Sequence, residues 1–388
     1  MNLPELSVDE QRHVDKVREA VIAAIRNADG FLPFDAYMEL VLYAPALGYY
    51  AVGTHKLGRG GDFITAPELS PLLAFSLATQ CAQILPHLPA DKPTMVLEVG
   101  AGSGRLAMDL LLKLHDLNAL PTEYGILEVS PDLKARQRDL LQHLPLALRD
   151  RVRWLDSLPA HPFNGVIIAN EVVDALPVEW FEVQHNEWCE LGVVMTSSQL
   201  ALATRPATAD AQRFLHSRVL NPTPGERRER RSRALPWVQS LLNTLNQGVL
   251  LAIDYGGGAD EVYSADRTDG TLSTFFRHQQ SADVLRYAGL CDITAWVDFT
   301  VLKDAGVAAG AALAGFTTQA SFLIHTDFEQ HFHADSTHPN AQDVVSRAMA
   351  ARRLMLPHDM GERFKVMALS KAWALPLRGF GNDLSHVL

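Results

Sequence analysis

An α/β fold with a doubly wound, mostly parallel sheet is predicted by three observations. The stretch Met95 to Leu112 reads as a buried strand, a tight glycine turn and an amphipathic helix. Four later apolar runs, opening at Tyr124, Val152, Gly165 and Gly248, each end on polar residues suited to a ligand. Helical periodicity fills the intervals after the first two runs, and strands that alternate with helices build a sheet whose ligands bind at the carboxyl ends of the strands. With 388 residues the chain is long enough for two or three domain-sized units, and 47% hydrophobic and 20% charged residues are ordinary for a globular protein.

The first strand is Met95, Val96, Leu97 and Val99, an apolar run bounded by Pro93 and Gly100. Gly100, Gly102 and Gly104 follow at every second position, and Leu106, Leu110 and Leu111 then recur at helical spacing. Such a turn lets a ligand approach the backbone where a Cβ would collide, and aims the free N–H groups of a helix at it. A dinucleotide site wants a third glycine where Arg105 stands. The pattern is instead E-x-G-x-G-x-G, Glu98 to Gly104, the form used for S-adenosylmethionine (SAM). A carboxylate near the turn suits the cationic amino end of that molecule. The competing reading is a glycine-rich turn with no ligand.

A net charge of −11 and a pI near 5.7 argue against general nucleic-acid binding. Cys81, Cys189 and Cys291 are far apart and odd in number, which fits a reducing compartment and shows no metal spacing, so no metal is expected. Met1 to Gln11 is acidic and polar, unlike a targeting peptide, and no apolar run approaches the ~20 residues that span a bilayer. A cytoplasmic location and no membrane insertion are therefore expected.

Taken in order, residues 8 to 28 and 34 to 43 read as helices, and Gly58 to Pro71 as a loop whose polar candidates are Asp62, Thr65 and Glu68. Ser70 and Pro71 open a helix running to Leu85. The second strand ends on Glu128, 30 positions after Glu98, where a ribose diol is held in nucleoside sites. Pro131 to Leu144 is a helix. Asp156 and Ser157 close the third strand, where an adenine edge would be read. The fourth strand, Gly165 to Asn170, is apolar until its tip, and Gly248 to Gly256 is the fifth. Residues 178 to 247 form an insertion that opens with a hairpin and ends in a helix, Trp237 to Leu245. Its run Gly225 to Arg233 reads as a solvated loop or helix face, the alternative being a lid or a contact with an acidic partner. Asp292 to Phe299 alternates like a strand, and Thr317 to His325 with Phe364 to Leu369 are the candidates for a late antiparallel pair. The resulting division is an N-terminal extension, 1–90, covering the active site; the first part of the core, 91–177; the insertion, 178–247; and the rest of the core, 248–388.

Methyl transfer from SAM is an in-line displacement that asks mainly for orientation and sometimes a base. The acceptor class should show at the fourth strand's tip, and the Asn/Asp-Pro-Pro-aromatic signature of nucleobase amine methylases is absent there. Glu171 and Asp174 lie three residues apart, so on a helical turn they would share a face. Paired carboxylates bind a guanidinium in fork geometry, which makes arginine the sharpest acceptor hypothesis. The plainer reading is that Asn170 caps a helix and Glu171 favours its dipole.

Together, Gly48-Tyr-Tyr50, Gly61-Asp-Phe-Ile-Thr-Ala-Pro-Glu68, Glu98 to Gly104, Ala169-Asn-Glu-Val-Val-Asp-Ala-Leu-Pro177, Ile253-Asp-Tyr-Gly256, Val297-Asp-Phe299 and Phe364-Lys-Val366 resemble the MidA-like SAM-dependent methyltransferases, in the right order over about residues 34 to 370. That family includes a mitochondrial complex I assembly factor that dimethylates an arginine. The resemblance implies a Rossmann-like class I methyltransferase fold with SAM as donor and a protein arginine, in a respiratory-complex subunit for instance, as acceptor. By the same resemblance Glu98, Gly100, Gly102, Gly104, Glu128, Asp156 and Ser157 form the cofactor site, joined by Thr65, Pro67 and Glu68. Asp62, Asn170, Glu171 and Asp174 then serve the acceptor. Val172 and Val173 stand where members often carry bulky aromatics, which touches packing more than chemistry. The rival functions are a SAM-binding assembly factor or chaperone without turnover and a small-molecule methyltransferase.

Overall fold

The computed structural model describes residues 4–51, 65–197, 199–334 and 341–388. The chain divides into two units. One is made of Ile64–Val173, Leu235–Gly256 and Phe299–Leu388, the other of Met1–Phe63, Asp174–Ala234 and Gly257–Asp298. The boundaries differ from the sequence division. Residues 65–90 group with the sheet unit, and 257–298 group with the insertion and the N-terminal helices.

The sheet unit contains seven strands in one path: β1 (Thr94–Val99), β2 (Glu123–Leu127), β3 (Val152–Leu155), β4 (Phe163–Asn170), β5 (Leu245–Gly257), β6 (Ala312–Thr318) and β7 (Phe364–Lys371). Their order is 3-2-1-4-5-7-6. β3, β2, β1, β4 and β5 are mutually parallel, while β7 runs antiparallel to both β5 and β6. The order reverses between β1 and β4, the switch point at which such sheets leave a crevice for ligands. Backbones pack tightly around that point. A Cβ on Gly165 of β4 would lie 1.7 Å from the Met95 carbonyl oxygen of β1.

Helices α1 (Leu72–Ile84), α2 (Arg105–Asp116) and α3 (Pro131–Leu141) belong to this unit. Its core joins Leu73, Leu77, Leu110, Leu114, Val96 and Ile168 with Leu251 and Val366. The apolar stripe read in α2 is the face that enters this core. The expected late pair is present, but its first strand lies earlier in the chain. Ala312–Thr318 is the strand, and Gln319–His325 is a helix capped by Thr318, whose hydroxyl accepts from the Ser321 N–H at 3.2 Å. That cap turns the chain from strand to helix at Thr318.

The other unit holds helices Val8–Asn27 and Phe34–Tyr43 and an antiparallel sheet built on the hairpin Glu179–Gln184 and Glu187–Thr196. Val17, Val21, Phe34, Tyr37, Trp180 and Val193 form its core with Val284 and Ile293. Tyr37 donates its hydroxyl proton to the Val284 carbonyl at 2.8 Å, which helps explain why residues 273–294 group here. Asp292–Thr294 is a short strand of a three-stranded sheet in this unit, and Phe299 already opens a helix, so the long alternating strand read over Asp292 to Phe299 does not form.

The basic run is also not a solvated face. Arg227–Arg230 is a strand paired antiparallel to Glu179–Gln184. Arg228 is 1% exposed and pairs with Glu226 at 2.5 Å, while Arg231 donates to the Leu176 and Ala295 carbonyls. Glu229 accepts from the Thr271 N–H and hydroxyl. Burial is tolerated because each charge meets an opposite charge or a backbone dipole. Among the described residues no helix is long and apolar enough to cross a membrane.

Candidate active site

The turn after β1 has φ of 68°, 55° and 86° at Gly100, Gly102 and Gly104. All three lie in the left-handed region that side chains avoid. The Gly100 N–H donates to the Leu127 carbonyl at 2.9 Å and the Gly104 N–H to the Ala101 carbonyl at 2.8 Å, so the turn is tied to β2 and closed on itself. Gly104 then caps α2 without a side chain. The face of the turn is bare backbone at every second residue.

Glu98 lies under the turn, 2% exposed, and accepts a proton from the Tyr124 hydroxyl at 2.6 Å. Burial pushes its carboxyl up to about 7, the Tyr124 bond pulls the other way, and the nearby Glu128 adds to the rise. Glu128 ends β2, buried, with Oε1 accepting from the Ser130 N–H at 2.9 Å and Oε2 from Gln137 at 3.1 Å. Its carboxyl is raised by burial, with both bonds opposing the shift. A carboxylate offers about four lone-pair positions, so these bonds leave room for a diol. Val129, 73% exposed, stands beside it as an apolar surface.

Asp156 follows β3 with its side chain 94% exposed, and Lys134 donates to it at 2.5 Å. That bond, more than simple attraction, holds the carboxyl below its ordinary range. Ser157 beside it is exposed. Thr65 precedes the short helix Ala66–Leu69, which contains buried Pro67 near its start. Within the described end of the expected loop, Ala66–Leu69 is thus a helical turn, and Asp62 lies outside the described residues. Glu68 accepts from the Ser103 hydroxyl in a short hydrogen bond, which ties this turn to the glycine turn.

At the tip of β4 no helix begins. Glu171 has φ of +53°, its N–H donates to the Ile253 carbonyl at 2.8 Å, and the chain continues in bends and turns to Val178. Asn170 is therefore not a helix cap, and Glu171 and Asp174 do not share a helical face. Glu171 Oε1 accepts from the Ala66 N–H at 3.3 Å and from Asn170 Nδ2 at 3.2 Å. Asn170 Oδ1 is buried with no hydrogen-bond partner among the described residues. Asp174 falls in the other unit, buried, its carbonyl accepting from the Ala295 N–H at 3.1 Å. A non-glycine residue held left-handed at a strand tip stores strain, a feature that concentrates at functional sites.

The geometry thus gathers Glu98, the three glycines, Glu128, Asp156 and Ser157 along the carboxyl edge of β1, β2 and β3. It links Glu68 to the turn and Asn170, Glu171 and Ala66 to one another. Ser103, Lys134, Gln137 and Trp154 join them without having been read as site residues. One signal for Gln137 was available. It interrupts an apolar stripe, Leu133, Gln137 and Leu141, at the position where an apolar residue would fit.

SAM fits these residues on two observations. The turn presents bare left-handed backbone at Gly100, Gly102 and Gly104, and beside it Glu128 is a buried carboxylate with spare lone pairs. A doubly wound sheet of order 3-2-1-4-5-7-6 carrying such a site defines a SAM-dependent methyltransferase of the Rossmann-like class. The chain belongs to the S-adenosyl-L-methionine-dependent methyltransferase family whose model matches residues 76–317. It is 39% identical to a protein from Burkholderia thailandensis crystallised with S-adenosylhomocysteine, with a TM-score of 0.94 and 100% of both chains covered. It is 29% identical over 399 residues to "Protein arginine methyltransferase NDUFAF7, mitochondrial" of Danio rerio, covering 91% of this chain and 89% of that one. The Xenopus tropicalis protein of the same name is 27% identical over 400 residues, covering 93% and 88%. Both are named as mitochondrial proteins, and this overturns the cytoplasmic location expected from the sequence. The chain is an enzyme, and SAM is its methyl donor.

Proposed function

We propose that this methyltransferase modifies a guanidinium nitrogen of an arginine side chain in a protein, a respiratory-complex subunit being the acceptor class. The observation that carries the reading is Glu171, left-handed at the β4 tip, with its carboxylate accepting from Ala66 and Asn170. An acidic side chain on a left-handed backbone at the switch point suits a cationic planar group better than a hydroxyl or a carbon acid. The relatives named protein arginine methyltransferases support it.

When bound, SAM would supply a methyl carbon on a sulfonium, open to in-line attack with the thioether of S-adenosylhomocysteine as leaving group. The glycine turn with Glu98 receives the methionine part, Glu128 the ribose, and Asp156 with Ser157 the adenine edge. Thr65, Pro67 and Glu68 close over the turn from the Ala66 side. Glu171 fixes the guanidinium by accepting from one N–H, which points a second nitrogen's lone pair at the methyl carbon. Asn170 Oδ1 accepts another N–H of the same group. Glu171 then takes up the proton that leaves the methylated nitrogen and passes it to solvent.

Glu171→Gln tests this. It keeps shape and removes the charge, so transfer of labelled methyl to protein should fall at least ~100-fold, while calorimetric SAM affinity stays within about threefold. Wild-type transfer by a folded Glu171→Gln protein contradicts the clamp. Turnover on metabolites with none on protein contradicts the protein acceptor.

A further inference from the structure

We propose that Gln137 is a positioning residue of the donor site, holding Glu128 and the glycine turn in the one arrangement that receives the ribose of SAM. The inference rests on the reading of Glu128 as the ribose carboxylate. Gln137 sits in the middle of α3 with no exposed surface. Its amide reaches three separate elements. Nε2 donates to the Gly102 carbonyl at 2.9 Å and to Glu128 Oε2 at 3.1 Å, and Oε1 accepts from the Trp154 indole N–H at 3.0 Å. Trp154 lies on β3 two residues before Asp156. One side chain therefore joins the turn after β1, the tip of β2 and the strand that carries Asp156.

Packing alone does not ask for an amide here. A leucine would extend the stripe of Leu133 and Leu141, whereas a buried amide is costly unless its donors and acceptor are bonded. Here both ends are used, and the two oxygens that accept from Nε2 belong to the groups that face the ligand. The fit extends to the turn. A Cβ on Gly104 would stand 3.2 Å from Gln137 Cγ and 3.3 Å from its Cα, so the turn's last glycine packs closely against this position of α3.

Neutrality matters as well. Glu128 faces Lys134 from α3 and Glu98 from β1, and Lys134 is already engaged by Asp156 beyond β3. A carboxylate at position 137 would repel Glu128, and a second cation would bind it too tightly to leave its oxygens for a diol. An amide donor favours the ionised form of Glu128 while using one lone pair. The hydrogen bond from Gln137 opposes the upward push of burial on Glu128, so its loss lets that carboxyl take a proton at a higher pH.

The test is a double-mutant cycle on the full chain, read as the calorimetric Kd for S-adenosylhomocysteine at pH 7.5 and pH 6. Folding of each variant is checked by its thermal midpoint. Gln137→Leu should bind ~10-fold more weakly at pH 7.5 and more weakly again at pH 6, and Glu128→Gln ~30-fold more weakly at both. The double variant should lose under ~100-fold, well short of the ~300-fold product, because Gln137 acts partly through Glu128. A folded Gln137→Leu protein with wild-type affinity, or losses that simply multiply, overturns the proposal. If Gln137→Leu does not fold, Gln137→Met is read in its place under the same two criteria. Wild-type affinity in Glu128→Gln, which keeps Gln137, instead overturns the ribose reading on which the proposal stands.

Discussion

Glu98 gives the folded chain a pH dependence of its own. Its carboxyl is ordinary at about 4.5 in an open chain and is pushed up to about 7 by burial. Between those values the folded protein holds a proton that the unfolded chain has released. Stability from this residue is therefore full below pH 4.5 and falls as pH rises through 7. The shift corresponds to about 3 kcal/mol at most. In Glu98→Gln the ligand-free protein should lose that fall, so its thermal midpoint gains on the wild type between pH 5 and pH 8. Equal pH profiles for the two would show that Glu98 is solvated and unshifted. Glu128 was legible at this scale because a carboxylate at a strand tip is a local pattern. The conformation of Glu171 was not, because its N–H bonds Ile253 and its carboxylate bonds Ala66, both remote in sequence. Gln137 was overlooked for a related reason: its three partners lie on other elements.

At the scale of elements, the strand–turn–helix unit from Thr94 to Asp116 could be read directly, since apolar runs, alternate glycines and helical spacing all act within a few residues. Two elements escaped that logic. Gln319–His325 became a helix because the Thr318 hydroxyl caps it, a bond of the kind that competes with strand propensity. The run Gly225 to Arg233 reads as a solvated loop or helix face because dense charge normally stays in water. Its interleaved Glu226 and Glu229 were the available sign that the charges are met internally. Arg228→Ala should destabilise its unit by ~3–5 kcal/mol, since Glu226 is left buried without its cation. Urea unfolding followed by tryptophan fluorescence measures this, and a loss under ~1 kcal/mol would show the pair to be solvated. Gly165→Ala is the corresponding test in the sheet. A Cβ 1.7 Å from the Met95 oxygen cannot be accommodated without parting β1 from β4. Soluble yield should collapse, and a thermal midpoint within ~2 °C of wild type, a shift worth about 1 kcal/mol, would contradict the close approach.

For the whole molecule, fold and donor followed from the sequence, because a parallel sheet carries its ligand groups at strand tips spaced along the chain. The grouping of residues 257–298 with the N-terminal helices did not, because it rests on contacts such as Tyr37 with Val284, far apart in sequence. Location was misjudged from a polar N-terminus, and the mitochondrial relatives correct it. The acceptor was legible only as a carboxylate pattern, and of its four residues Asp62 lies outside the described chain. The central claim, methyl transfer to an arginine, is tested most directly by labelling. Purified enzyme is incubated with a lysate lacking it and with SAM labelled on the methyl group, and the labelled product is hydrolysed to amino acids. Label recovered as methylated arginine from a discrete protein is the predicted result. Label confined to another amino acid or to small metabolites would contradict it.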